Sequence, residues 1–249
     1  MPFKDHFSGH SSAYAAARPS YPGELFAWLA AQCREHALAW DAGCGNGQAA
    51  VALAAHFARV HATDPSAAQI AAATAHPKVE YRTEAAEDCS LPDACADLVT
   101  VAQALHWFDL TRFYPQVRRV LKPGGVIAAW TYGLSSVSPG VDAVFHKLYE
   151  GRLGPYWPAD RRHVETGYRD LPFPFAPLPA PPAFEMVCLW TLRQYLAYLR
   201  TWSASQRHLQ ATGFDAVDAV AAEMAEAWGD PQQRRPVRWP LAIRAGRVG

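Results

Sequence analysis

The run Trp40-Asp41-Ala42-Gly43-Cys44-Gly45-Asn46-Gly47 sets an acidic side chain ahead of glycines at alternate positions. Such a run marks a turn that leaves a strand and opens a helix. There glycine permits positive φ and lets bare backbone N–H groups approach a ligand. The spacing is G-x-G-x-G, not the G-x-G-x-x-G of dinucleotide binders, and Asp41 would repel a pyrophosphate. A cofactor with a cationic head fits better. S-adenosylmethionine, which carries a sulfonium and an α-ammonium and no phosphate, is one. A tight strand–helix connection without a ligand is the reading that glycines alone leave open.

Three further groups fall where such a cofactor would need them. Asp64, followed by Pro65, stands 23 positions after Asp41, close to the spacing at which a carboxylate accepts from ribose hydroxyls; helix initiation is the competing role. Ala86-Glu87-Asp88 follows the third predicted strand, where an adenine amine would find an acceptor, with Glu87 preferred and Asp88 close behind. Gln103-Ala104-Leu105-His106-Trp107 ends the fourth. It brings a polar side chain, an imidazole and an aromatic to the sheet edge where ligands bind. His106 is the candidate catalytic residue, as base or orienting group, and a packed structural histidine is the equal alternative.

The elements that must carry these residues read as an alternation of short apolar runs and helix-like stretches over 38–132, the pattern of a parallel sheet with crossover helices. Strands are predicted at 38–41, 60–63, 79–82, 97–102 and 126–130. An alanine-rich helix is predicted over 48–57. Residues 155–182 hold many prolines and aromatics, which argues against any regular helix or central strand and for an extended apolar flap. A strand at 184–190 then pairs with a last strand at 237–244 to close the sheet edge. Thr191-Leu192-Arg193-Gln194 has capping-box spacing, and a helix starting near Asp215 carries Val217, Val220, Met224 and Trp228 on one face.

Composition narrows the function classes. The 249 residues include 23 basic and 23 acidic side chains and are 50% apolar, so a sizeable core forms and no net charge drives nucleic-acid binding. A small-molecule partner is expected. No apolar stretch of membrane-spanning length occurs and no leader follows Met1, so a cytoplasmic protein without a membrane partner is expected. The 5 cysteines form no C-x-x-C pair, and neither a metal site nor a disulfide framework is expected.

Taken together, Asp41 to Gly47, Asp64, Ala86-Glu87, Gln103 to Trp107 and Leu121-Lys122-Pro123-Gly124-Gly125 resemble the motifs of class I S-adenosylmethionine-dependent methyltransferases of the type 11 kind. The resemblance implies a Rossmann-like α/β fold: a mostly parallel sheet, helices on both faces and an antiparallel C-terminal strand pair. It implies one domain over 1–249, with an N-terminal cap (1–35) and an insertion (about 141–232) forming a lid or substrate-side cover. The cofactor-binding set it implies is Tyr14, Arg18, Asp41, Gly43, Cys44, Gly45, Asp64, Pro65, Ala86, Glu87 and Gln103. Phe7-Ser8-Gly9, Tyr14, Arg18-Pro19 and Ala104 to Trp107 are similar to the branch containing trans-aconitate methyltransferases. In that branch Arg18 would meet the methionine carboxylate and Tyr14 the methyl-transfer region, and a carboxylate would be the acceptor. Trp107, Trp157 and Trp202 are candidate acceptor contacts, and Arg161, Arg162, His163 and Arg169 candidate anion contacts. A non-catalytic binding protein that keeps the fold is the alternative reading.

Overall fold

Runs such as Leu38–Ala42 and Ala96–Ala102 are apolar on alternate and intervening positions alike, which only a strand covered on both faces can satisfy. In the computed structural model, which describes residues 19–249, these runs form the centre of a sheet. Its parallel strands are β1 (Leu38–Ala42), β2 (Arg59–Asp64), β3 (Val79–Thr83), β4 (Ala96–Ala102) and β5 (Leu121–Tyr132). With β6 (Ala176–Pro177), β7 (Glu185–Trp190) and β8 (Arg235–Arg247), the order is β3-β2-β1-β4-β5-β8-β6, and β7 pairs with β8. The order reverses between β1 and β4, so their C-terminal ends flank the crevice where ligands of open α/β sheets bind.

On one face, α1 (Gly23–Ala31) and α2 (Gln48–Leu53) bury Leu25, Phe26, Leu29, Ala50 and Leu53 against the sheet. On the other, α4 (Leu110–Val120) buries Phe113, Val117 and Val120 against Trp40, Val99 and Ile127. The short α3 (Ala67–Ala71) follows β2. The predicted helix over 48–57 stops at Leu53, because its last turn tightens: His56 N–H bonds to Leu53 O (2.9 Å), which swings the chain toward β2. No helix forms between β3 and β4. That crossover is an irregular segment stapled by Arg119 of α4, which donates to Cys89 O (2.7 Å) and Leu91 O (2.6 Å).

Between β5 and β8 the chain builds a second cluster from α5 (Pro139–His146), a π-helical continuation over Lys147–Arg152, α6 (Arg161–Glu165), α7 (Leu192–Arg200), α8 (Ser203–Thr212) and α9 (Ala221–Trp228). Phe145, Tyr195, Tyr198, Trp202, Trp228 and Trp239 are its bulk. α6 corrects the expectation that 155–182 excludes helix: its turn falls in the proline-free interval between Pro158 and Pro172. The predicted helix near Asp215 begins later, with a 3-10 turn at Asp218–Val220, because Asp215 Oδ1 accepts from Val217 N–H (2.8 Å) and holds a local turn instead. Val217, Val220, Met224 and Trp228 are buried as expected. The capping box at Thr191 and Gln194 is formed. β7 pairs antiparallel with β8, as expected. β8, however, is not an edge, since residues from Leu241 to Arg247 also pair antiparallel with β5. No helix among the described residues is long and apolar enough to cross a membrane.

Candidate active site

The turn after β1 is built by backbone geometry that only glycine tolerates. Gly43 sits at φ +69° and Gly47 at +86°; a Cβ on Gly43 would lie 2.7 Å from Ala104 Cβ, and one on Gly47 2.1 Å from the Tyr81 hydroxyl. The turn is therefore pressed between the β4 exit and β3. Gly45, at φ +54°, has open space on its Cβ side apart from Gln69 at 3.8 Å. Asp64 fixes this arrangement: its Oδ2 accepts from Gly45 N–H and its Oδ1 from Ser66 N–H, both at 2.9 Å. A carboxylate accepts up to about four hydrogen bonds, so anchoring the turn is compatible with meeting ribose hydroxyls. Pro65 lies beside it, half-buried, and Cys44 is buried in the turn with its thiol pushed up by burial and by the nearby Asp41 and Asp64 carboxylates.

Asp41 is fully buried on β1, where Thr100 of β4 donates to its Oδ1 (2.8 Å). Burial pushes its carboxyl up to about 7; the Thr100 hydroxyl opposes that shift, Asp64 adds to it, and the Ala50 N–H opposes it again. Asp41 Oδ2 completes no hydrogen bond among the described residues. A buried acceptor position next to a second carboxylate is a field made for a cation.

Across the crevice, Ala86 is buried and Glu87 Oε1 accepts from Asp109 N–H (2.7 Å), which ties the β3–β4 segment to the start of α4. At the end of β4, Gln103 is forced to φ +59°. Its amide N–H donates to Tyr132 O (3.2 Å) and its oxygen accepts from the Thr131 hydroxyl. Thr131 in turn contacts the hydroxyl of Tyr168, and that hydroxyl lies 3.0 Å from His106 Nδ1. Thr131 donates its hydroxyl proton to Gln103 Oε1, and the Tyr168 hydroxyl joins this chain to the His106 ring. His106 Nδ1 and the Tyr168 hydroxyl share one hydrogen bond, whose direction is set by the imidazole tautomer. Burial first, then the charges of Arg161 and His163, lower the imidazole to about 3. His106 is neutral at any ordinary pH and a weak base.

Trp107 packs against His106 in a tilted arrangement (4.5 Å between centroids) and is 38% exposed at the rim. Trp157 and Trp202 meet each other at 5.5 Å and share contacts with Tyr149. Trp202 is mostly core, whereas Trp157 is half-buried. Arg161 links these groups. Its guanidinium lies 4.9 Å over Trp157 and its Nε donates to the Tyr149 hydroxyl (3.0 Å), which also bonds Glu165. Its charge reaches His106. Its two terminal amino groups make no hydrogen bond among the described residues. His163 is bound to Asp170 (2.7 Å), and Arg162 and Arg169 are exposed. Tyr14 and Arg18 lie outside the described residues.

Thr100, Thr131, Tyr149 and Tyr168 belong to the site without having been anticipated from the sequence. Tyr168 had the faintest signal, a Gly-Tyr pair in a proline-rich stretch, and both residues adopt positive φ (+61° and +63°). A bulky residue in that region is a strained outlier that its surroundings must hold.

A parallel sheet with this order, a glycine turn at its switch point and carboxylates suited to a cationic nucleoside define a cofactor-dependent group-transfer enzyme. Residues 40–129 match the family described as a methyltransferase domain. A Dictyostelium discoideum protein classed as a methyltransferase is 34% identical over 238 residues, 91% of this chain and 87% of that protein. The solved structure of a protein from Anaeromyxobacter dehalogenans, described as a type II methyltransferase, is 50% identical with a TM-score of 0.89, covering 92% of this chain and 97% of that one. A methyltransferase structure from Anabaena variabilis, 19% identical with a TM-score of 0.55 over 91% and 98% of the chains, shares the fold. The chain belongs to the class I S-adenosylmethionine-dependent methyltransferases.

Proposed function

We propose that this methyltransferase acts on a carboxylate oxygen of a small molecule, forming a methyl ester. The observation that carries the reading is Arg161, whose terminal amino groups make no hydrogen bond among the described residues and whose charge reaches His106, an imidazole too weakly basic to activate an alcohol. An arginine fork matches a carboxylate bidentately. A carboxylate also needs no base, because it is already the nucleophile. The similarity of Ala104 to Trp107 to the trans-aconitate branch supports the same acceptor class.

S-adenosylmethionine, when bound, supplies a methyl group on a sulfonium that leaves with its bonding electron pair on sulfur. The chain's own residues bind and align. The backbone of Gly43, Cys44 and Gly45 lines the cofactor. Asp64, beside Pro65, takes the ribose hydroxyls, Ala86 and Glu87 take the adenine side, and Gln103 shapes the floor. Asp41 acts on the cationic end from beneath the turn. By the resemblance alone, Arg18 would meet the methionine carboxylate and Tyr14 the methyl-transfer region. Arg161 orients the acid, His106 Nε2 and Trp107 border the attacking oxygen, and Trp157 with the residues around Trp202 walls the pocket. A carboxylate held there would take the methyl group without losing a proton, so these residues would have only to bind and align the two reactants. Holding the reactants in a near-attack arrangement supplies the acceleration. In this reading 1–249 is one domain, and the insertion over about 141–232 excludes water as its cover.

The test is product analysis after incubation with S-adenosylmethionine and a panel of mono-, di- and tricarboxylic acids. An alkali-labile methyl ester is expected, and Arg161→Ala should raise KM for the acid by about 10- to 100-fold, the loss of one charged hydrogen-bonding partner. Alkali-stable methylation of an amine or alcohol, indifferent to Arg161→Ala, would overturn the carboxylate assignment. Absence of methyl transfer to any acceptor, with S-adenosylhomocysteine still bound, would favour a non-catalytic binding protein.

A further inference from the structure

Around the segment that carries Ala86 and Glu87, the irregular β3–β4 crossover folds back over β2. There His61, Glu84 and Cys89 converge, each offering one ligand atom, and these atoms all lie within 4.8 Å of one another. His61 and Cys89 are buried and Glu84 is half-buried. His61 Nε2 lies 3.5 Å from Glu84 Oε2 and completes no hydrogen bond among the described residues. We propose that His61, Glu84 and Cys89 form a binding site for a divalent transition-metal ion of the zinc type.

The donor set suits that ion. Imidazole, carboxylate and thiolate are its ordinary ligands, at about 2.0 Å for nitrogen and oxygen and about 2.3 Å for sulfur; tetrahedral placement then spaces the donors about 3.3 to 3.6 Å apart. The His61–Glu84 separation already matches, and Cys89 needs only to draw in. Charge balances as well, since one thiolate and one carboxylate neutralise a dication and leave no net buried charge. Glu84 is oriented from outside the site: Ser90 donates to it through its N–H (3.1 Å) and its hydroxyl (2.7 Å), the second-shell support that metal carboxylates usually have. A cleft of about 390 Å³, lined in part by His61, Leu91, Pro92 and Cys95, opens beside the imidazole and gives a path of entry.

Binding replaces the Cys89 S–H bond by a sulfur–metal bond and releases that proton to water. The site also has a structural use. Where a crossover helix would cover the sheet, an ion ties the segment to β2, and Glu84 N–H reaches Asp64 O (3.2 Å) at the strand end that carries the ribose-binding candidate.

The experiment is titration of the chelator-stripped, full-length chain with Co²⁺, read by absorbance, followed by displacement with Zn²⁺. Expected are a thiolate-to-cobalt charge-transfer band that saturates at one equivalent, its loss on adding Zn²⁺, and a higher thermal midpoint with Zn²⁺ bound. Cys89→Ala should abolish the band, and Cys95→Ala should leave it intact. Glu84→Gln, a milder change that keeps the side chain's shape, should weaken binding by about 10-fold or more. No band in the native chain, a band that survives Cys89→Ala, or equal affinity in Glu84→Gln would overturn the site and leave an ordinary His–Glu contact. None of these readouts depends on methyltransferase activity.

Discussion

Asp41 is a carboxylate shut away from water, and its pH dependence follows from that. Its folded value, about 7, stands above the ordinary 3.8, so the folded protein holds the proton more tightly than the unfolded chain. The stability this confers is complete below about pH 4 and is lost as pH rises through about 7, a change on the order of 4 kcal/mol. Urea unfolding of the ligand-free protein across that window should show the decline, and Asp41→Asn should flatten it. The ligand's α-ammonium, which S-adenosylhomocysteine keeps although it lacks the sulfonium charge, favours the ionised form, so affinity for S-adenosylhomocysteine should fall as pH drops below about 7, a dependence that calorimetry would find missing in Asp41→Asn. At His106 the opposite holds. With its pKa depressed to about 3, the imidazole does not titrate in the working range, and kcat at saturating cofactor should stay flat between about pH 6 and 8. Tyr168→Phe removes the hydroxyl that shares a hydrogen bond with His106 Nδ1. Stability should drop by about 1 kcal/mol, while kcat falls further than KM changes, the mark of a positioning residue.

At the scale of elements, the glycine turn and the β4 exit are one unit. Gly43→Ala would drive a methyl to 2.7 Å from Ala104 while holding φ at +69°, which should cost about 1 to 3 kcal/mol and shift the His106 segment; loss of S-adenosylhomocysteine binding in a variant still folded by circular dichroism is the expected result. The capping box that starts α7 is a local device by comparison. Thr191→Ala should cost about 1 kcal/mol in urea unfolding and leave cofactor affinity unchanged.

Across the whole molecule, β8 is the strand that makes two clusters into one body. Its first half pairs with β7 under the aromatic cluster, and its second half pairs with β5 in the main sheet. Buried indoles anchor the junction: Trp239 donates to the Tyr198 hydroxyl (3.2 Å) and Trp228 to Gln233 O (3.1 Å). Unfolding should therefore be a single transition, with tryptophan fluorescence and far-UV circular dichroism coincident in denaturant. Two separated transitions would show that the insertion folds as its own domain.

What was legible in the sequence was whatever short-range chemistry dictates. The glycine turn, Asp64 at the next strand's end, the Gln103 to Trp107 exit and the capping box each announce themselves within a few residues, because backbone conformation and hydrogen-bond capacity are local properties. The parallel strands were legible for the same reason, since burial on both faces leaves an unbroken apolar run. Tertiary structure alone decided the partners. Thr100 reaches Asp41 across 59 positions and Tyr168 reaches His106 across 62, and neither pairing leaves a periodic or compositional trace. The protonation of Asp41 and His106 was equally invisible, because desolvation belongs to the packed interior. So was the meeting of His61, Glu84 and Cys89: no spacing rule joins them, and only the fold of a helix-free crossover over β2 brings their ligand atoms together.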